Sequence, residues 1–468
     1  DDPPHRCGPG VPPTCPIKVC RHIADHETIS LWVRISAPVT NGQAPSSRTQ
    51  GMDLGAFIDI TDHPTASRRR MAKERSYAIA DQVDALTDRV NQTLATGSYT
   101  GAVAPEIFVG SGGYPTVSTG VVTPVDPDLP VDAYRTGDRW YTEGLQISDV
   151  FDRRAVSVHS HQRHPVTNVS DTWDGVIGTQ REVAIADRPV SIDLAFRGRP
   201  QLSVDADAVA TPVGPRAPVS SAELTENPHV PRPVAKVLED DEWHAGGAMR
   251  YLYRRGYDVY TIESILAAGA LGEAASRRLV PTRWSITATD DAIGGLLRGQ
   301  IRNQRSIDTT EVYHTTHLGN AFWVILTPGA WEYELVELQA PGSIWNPTAG
   351  AIHIGSDHES IDGRAGYVSE TAGAYHAARL GVLEALADRR RSATALLIRH
   401  VSSEYYAPVG VWLVREAVRA ALEAPVVSTG SFDAALDAVC ELLPVDRTRL
   451  QRASTIAAGR QQTLTAFG

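Results

Sequence analysis

Lysine is almost missing from this 468-residue chain: among 44 basic residues only Lys18, Lys73 and Lys236 are lysines. Acidic residues number 55, and the net charge is −11. A protein that coats long duplex DNA draws its affinity from neutralised phosphates and is expected to be basic overall. The composition excludes that class, so any contact with nucleic acid must be local. The arginine bias fits a GC-rich coding sequence as well as phosphate recognition by guanidinium groups. Cysteine is scarce too. Three of the four, Cys7, Cys15 and Cys20, fall in the first twenty residues, and Cys440 lies far away. A disulfide framework would use an even, spread-out set, so this distribution points to a reducing compartment and a small local cluster. No apolar run approaches the length of a membrane span. The stretch Asp1-Asp2-Pro3-Pro4-His5 carries neither the basic nor the apolar region of a signal peptide. An intracellular protein with no membrane partner is expected.

What is present is the composition of a globular chain, 42% apolar and 21% charged, long enough for two or three domains. Cys7, Cys15, Cys20, His22 and His26 place five soft or borderline ligands in a Gly/Pro-rich stretch. Four such ligands satisfy tetrahedral zinc, and Cys7, Cys15, Cys20 and His22 are the candidate set. A flexible segment with free thiols is the competing reading, because the spacing is irregular. From Ala66 to Thr96, Ile79, Val83, Leu86, Val90 and Leu94 recur at helical spacing, and Gly97 closes the run. Arg68, Arg69 and Arg70 read as a solvated charged run or as a phosphate contact. Ile107–Val109 reads as a short strand entering a glycine loop. Gly110, Gly112 and Gly113 do not form a dinucleotide fingerprint, since Pro115 and a β-rich stretch follow instead of a helix.

Residues 131–200 read as turns and short β-like runs. There His159 and His161 would share one face of a strand, a spacing that binds metals, although polar loop histidines account for them equally. Prolines cluster from Pro200 to Pro233, which reads as a linker or an extended crossing. Residues 243–272 read as helical, with Thr261 as a cap, and residues 281–290 as loop then strand. Asp290 is a candidate strand-end carboxylate or a helix cap. His314 and His317 would form a metal pair only on a helix, and their flanks read as strand and turn. Phe322–Thr327 and Trp331–Leu338 read as a β-hairpin about Pro328-Gly329, with Glu332 and Glu334 on its wet face. His353, Asp357, His358, Glu359 and Asp362 form the densest ligand-type cluster of the central chain, in a Gly-rich loop over 341–370. After it, a helix over 371–390, a strand over 395–401, a helix beyond Pro408 and a Ser431-capped helix complete an α/β segment.

The last residues carry a spacing of their own. Gln461, Leu464 and Phe467 stand at i, i+3 and i+6, and residues three apart eclipse in a 3₁₀ turn. The pattern resembles the peptide by which replication and repair proteins bind the sliding clamp (PCNA), with Gly468 where a second aromatic usually stands.

Several longer blocks resemble the archaeal Nre family of DNA repair proteins: "PEIFVGSGGYP" (105–115), "VPTRWSITATDD" (280–291), "LGNAFWVILTPGAWEYELVEL" (318–338), "YHAARLGVLEAL" (375–386) and "PVGVWLVREAVRAAL" (408–422). They span most of the chain in order. The resemblance implies a role in DNA damage repair and clamp binding through the C-terminal peptide. It also implies an N-terminal four-cysteine zinc-finger-like motif, of which Cys7-Gly8 and Cys15-Pro16 match the second half, while the first Cys-x-x-Cys pair is not present.

The expected fold is α+β, with two packed mixed α/β domains, a short N-terminal Cys/His-rich element and a flexible C-terminal tail. The boundaries are residues 1–30, 31–210, a proline-rich crossing at 211–240, 241–450, and the tail 451–468. The function expected is that of a clamp-recruited DNA repair factor, with damaged DNA as a further partner. The alternative is a metal-dependent nuclease or other DNA-processing enzyme built on the central His, Asp and Glu residues. A bridging scaffold without catalysis is a third reading.

Overall fold

The computed structural model describes residues 66–459, apart from 126–127, 170–174, 347–349, 365 and 425–426. The zinc candidates Cys7, Cys15, Cys20 and His22 and the clamp peptide Gln461, Leu464, Phe467 and Gly468 lie outside the described residues.

The expected first helix is there as α1 (Ala66–Leu94). Ile79, Val83, Val90 and Leu94 are buried, and Gly97 takes the positive φ, 78°, that ends the run. Then follow β1 (Ser98–Val103), β2 (Ile107–Val109) and β3 (Thr116–Pro124), α2 (Asp138–Thr142), α3 (Ile147–Ala155), β4 (Ser157–Pro165), α4 (Gly175–Ile185), β5 (Val190–Phe196) and β6 (Arg216–Leu224). The six strands form one sheet in the order β1-β5-β6-β4-β3-β2. All pairs are antiparallel except β4 with β6. Its core packs Val117, Val121, Ile192, Leu194, Val219 and Ala222 against Val176, Ile177, Val183 and Ala184 of α4.

Two expectations fail here. Residues 131–200 hold three helices as well as strands: α2 and α3 are only 5 and 9 residues long, and α4 is buried nearly all round, so no polar face marks its period. The proline-rich stretch 211–240 is not a bare crossing. It contains β6, which pairs on both sides, with its single proline, Pro218, in the parallel pairing to β4, and α5 (Arg232–Glu239), whose Pro233 lies in the first turn where its missing N–H costs nothing.

The chain continues through α6 (Ala245–Arg254), α7 (Val259–Ala267) and α8 (Thr282–Ile301). Asp258, not Thr261, caps α7, its carboxylate accepting from the Thr261 N–H at 2.7 Å. The expected strand near residues 284–290 is part of α8. β-Branched residues such as Ile286, Thr287 and Thr289 read locally as strand, but neighbouring helices on several sides override that preference.

The second sheet comprises β7 (Thr310–His317), β8 (Asn320–Thr327), β9 (Glu332–Gln339), β10 (His353–Glu359), β11 (Thr394–Val401) and β12 (Val427–Thr429), with α9 (Ala372–Asp388) before β11 and α10 (Trp412–Glu423) after it. The order is β10-β9-β11-β8-β7-β12. The expected β8–β9 hairpin therefore does not form. β11 lies between the two strands, antiparallel to β8 and parallel to β9. Strands lie about 4.8 Å apart, so the short link over 328–331 spans a gap of two spacings and leaves room for a third strand. The true hairpin joins β7 to β8 through Leu318 (φ 48°) and Gly319 (φ 73°), two positive φ angles in a row as in a type I′ turn. Both faces of this sheet are covered. Val336, Leu338, Leu396 and Ile398 pack against Leu436 and Val439 of α11 (Phe432–Cys440) and Leu450 of α12 (Arg447–Ala453). α9 and α10 pack on the other face. Ser431 caps α11, as its position suggests, and Cys440 packs beside that core. With two mixed sheets and many helices, the fold is α+β.

Candidate functional site

A cavity of about 70 Å³ lies where β2, α7, α8 and the start of α10 meet. Its walls come from residues 105–108, the 209–214 loop and these helices, and are mostly apolar, with Ile107, Phe108, Ile286 and Trp412 among them. The local sequence explains how the segments come so close. The Val109 N–H donates to Thr282 Oγ1 at 2.9 Å, tying the residues 105–115 block to the first turn of α8. At Gly214 a Cβ would sit 2.0 Å from the Arg154 carbonyl oxygen, so only glycine fits.

The polar lining is organised by Arg154, in the last turn of α3. Its guanidinium is buried and forks onto Glu106, with Nη2 to Oε1 at 2.7 Å and Nη1 to Oε2 at 3.3 Å. Thr136 Oγ1 donates to Glu106 Oε1 at 2.9 Å and also meets Arg154. Arg154 lies 4.9 Å over the Trp140 ring, which packs edge-on against Trp412. Arg135 reaches Thr261 Oγ1 at 2.7 Å. At another wall Arg415 holds two carboxylates, Asp290 and Glu263. Burial raises Glu263 to about 8, Asp290 adding to the rise and Arg415 opposing it. Burial also raises Asp290, again against Arg415. Burial holds His159 well below the usual imidazole range, with His161 and Arg216 contributing and the Phe108 carbonyl opposing. At neutral pH the cavity thus faces a neutral imidazole, a protonated Glu263 and guanidinium groups. This is a set of hydrogen-bonding groups in an apolar enclosure, suited to binding.

The histidines singled out in the sequence are dispersed. His159 and His161 do share a face of β4, their rings stacked at 5.0 Å. His314 and His317 fall on opposite faces of β7, since strand side chains alternate. His314 packs on Trp323 and His317 on Tyr141 and Trp412. The expected loop cluster at 353–362 is largely strand β10, and its members have structural partners. His358 meets Glu332 at 2.8 Å. Asp357 accepts from the Glu370 and Thr371 N–H groups at 2.9 and 2.8 Å, just before α9. Glu359 Oε1 accepts from Arg379 at 2.8 Å and from the Trp331 indole at 2.7 Å. Glu332 and Glu334 are buried rather than wet, and Asp290 lies inside α8 rather than at a strand end or cap. Among the described residues no group of three or more His, Cys, Asp and Glu side chains is arranged to hold a metal ion. Arg135, Arg154 and Arg415, which build the cavity, have no linear motif. The 105–115, 280–291 and 408–422 blocks pointed towards it, since each supplies part of the lining, Arg415 included.

The archaeal Nre N-terminal family model matches residues 71–346 and the archaeal Nre C-terminal model matches residues 359–467. The chain belongs to the archaeal Nre family. Over 419 residues it is 54% identical to a Haloferax volcanii protein named DNA repair protein NreA, covering 89% of this chain and 100% of that one. An Archaeoglobus fulgidus protein of the same name is 38% identical over 334 residues, 71% of this chain and 82% of the relative. A second A. fulgidus protein, named DNA repair protein NreB, is 31% identical over 370 residues, 78% and 91% of the two chains. No solved structure matches. In Nre terms the cavity draws on both matched segments: Val411, Trp412 and Arg415 come from the C-terminal one and the rest of its wall from the N-terminal one.

Proposed function

We propose that this chain is a DNA repair factor, recruited to the replication sliding clamp (PCNA) by Gln461, Leu464, Phe467 and Gly468. The observation that carries the repair role is its 54% identity across the whole length of a relative named for DNA repair. Two further observations support recruitment. The C-terminal family match extends to residue 467, through the peptide. The chain up to Gly459 is held to the body: Glu334, fully buried, accepts from Ser454 Oγ at 2.7 Å and from the Thr455 and Ile456 N–H groups at 2.9 and 2.8 Å. The peptide therefore begins five residues beyond Ile456, the last residue that Glu334 holds. Such tethering raises the local concentration of the body at clamp-bound DNA. Damaged DNA is a further partner in this reading, and the nucleoid, through the clamp, its location. No helix among the described residues is long and apolar enough to cross a membrane. Cys7, Cys15, Cys20 and His22 supply the donor types of a zinc site in the same proposal.

Two measurements test it. Cells lacking the protein should lose viability after DNA damage, and the full chain should restore it while Phe467→Ala should not. In a titration of purified sliding clamp, Phe467→Ala should bind at least about tenfold more weakly, as expected for a buried aromatic anchor. Equal affinity of the two proteins refutes recruitment through this peptide, and undiminished survival without the protein refutes the repair role.

A further inference from the structure

We infer that the cavity beside β2 is a binding site for a phosphate-sized oxyanion. Three side chains on three elements leave buried polar atoms short of partners: Arg154 Nε and Ser264 Oγ have none, and His159 has only the Phe108 carbonyl, which leaves one ring nitrogen free. All three line this one cavity. Arg154 and His159 are 3% and 1% exposed. Buried polar atoms are nearly always paired, so three unanswered groups around one space point to a guest that answers them. Arg154 spends both terminal nitrogens on Glu106 and Thr136, which leaves its buried Nε–H as a donor without an acceptor. Ser264 donates an O–H, and the neutral His159 imidazole, its N–H turned to the Phe108 carbonyl, offers its other nitrogen as acceptor to the O–H of a protonated oxyanion. Converging donors select an acceptor-rich guest.

Charge and size narrow the class. Glu106 answers Arg154, and Asp290 answers Arg415. Arg135 has only the exposed Asp258 at 3.9 Å, a pair that solvent screens. Arg135 is thus the least compensated cation on the wall, beside Glu263, which shares Arg415 with Asp290. A cavity of about 70 Å³ equals roughly two water volumes at about 30 Å³ each. That admits a tetrahedral oxyanion. A guest here would join the two family segments, since Trp412 and Arg415 face the same space. The inference does not depend on clamp recruitment, and neither falls with the other.

The test uses the full chain at constant ionic strength, with chloride exchanged for phosphate, sulfate or acetate. Binding is read by calorimetry and by ³¹P line broadening. Ser264→Ala removes a hydroxyl that has no partner in the protein, so the variant folds with an unchanged melting temperature in chloride. Saturable phosphate binding to the unaltered chain, weakened about tenfold in Ser264→Ala as for a lost bond to a charged group, supports the site. The order among phosphate, sulfate and acetate then identifies the oxyanion. Two results overturn the inference: no saturable binding of any of the three anions, which leaves water as the occupant, or saturable binding that Ser264→Ala does not weaken.

Discussion

Arg415 of α10 and Asp290 of α8 form a fully enclosed, bidentate pair. Arg415 Nη2 lies 2.7 Å from Oδ1 and 2.8 Å from Oδ2, and its Nε lies 3.1 Å from Oδ1. The side chains are 1% and 0% exposed. The same Nη2 also reaches Glu263 Oε1 at 2.9 Å. Removing the cation leaves two acidic groups buried without it. Arg415→Met should therefore cost about 3–5 kcal/mol in chemical denaturation, the usual penalty for breaking a buried pair from one side. The double variant Arg415→Met/Asp290→Leu should recover a large part of that loss. A cost for the double variant equal to the sum of the two single costs would show that the pair is not coupled.

These two groups should give stability a broad maximum between about pH 4.5 and 6.5, where their opposite slopes cancel, with an arm on each side. The folded Glu263 keeps its proton up to about 8, against the ordinary 4.5. The unfolded chain therefore releases a proton that the native state retains, and this group's contribution falls as pH rises between those values. His376 behaves oppositely. Burial lowers it from 6.5 to about 4, so the unfolded chain binds a proton that the native state refuses, and stability falls as pH drops through that window. Glu263→Gln should flatten the alkaline arm, and His376→Gln the acid arm. Urea midpoints from pH 4 to 9 check both, and an unchanged profile in either variant refutes that assignment.

Glu334 anchors the segment that leads to the clamp peptide. Glutamine in its place keeps one carbonyl acceptor but turns an NH₂ towards donors. Glu334→Gln should cost about 1–3 kcal/mol, the range for leaving a buried donor unanswered. Hydrogen exchange at Thr455 and Ile456 should speed up, while core amides of β11 should not change. Retained protection at both amides would show that the carboxylate does not hold this segment.

Elemental analysis tests the N-terminal ligands. The full chain should carry zinc, and Cys15→Ser, which removes one of four donors, should lose it. Equal zinc in both proteins, or none in either, removes Cys15 from the donor set.

Much of the helical content was legible because helices announce themselves locally. The periodic run ending at Leu94, the α9 pattern from Tyr375 to Leu386 and the Ser431 cap needed no tertiary information. Strand positions at β2, β8, β9 and β11 were legible for the same reason. Pairing was not, because nothing in β8 or β9 specifies that β11 will lie between them. The α8 segment misled because its β-branched residues carry a weak preference that helix packing overrides. The ligand-type clusters misled differently. Asp357, His358 and Glu359 are close in sequence, but strand alternation and burial gave each a separate partner, and His353 is exposed.

By itself the sequence determined the family, the broad α+β class and the identity of the clamp peptide candidates, because these rest on contiguous residues. Tertiary structure alone decided that Glu106 would meet Arg154, that Arg415 would join Asp290 to Glu263, and that His159 and Ser264 would face one cavity. Those partners lie 48, 125, 152 and 105 positions apart. Local propensity does not extend over such separations. Only burial, which forces each polar group to find a partner or a guest, brings them together.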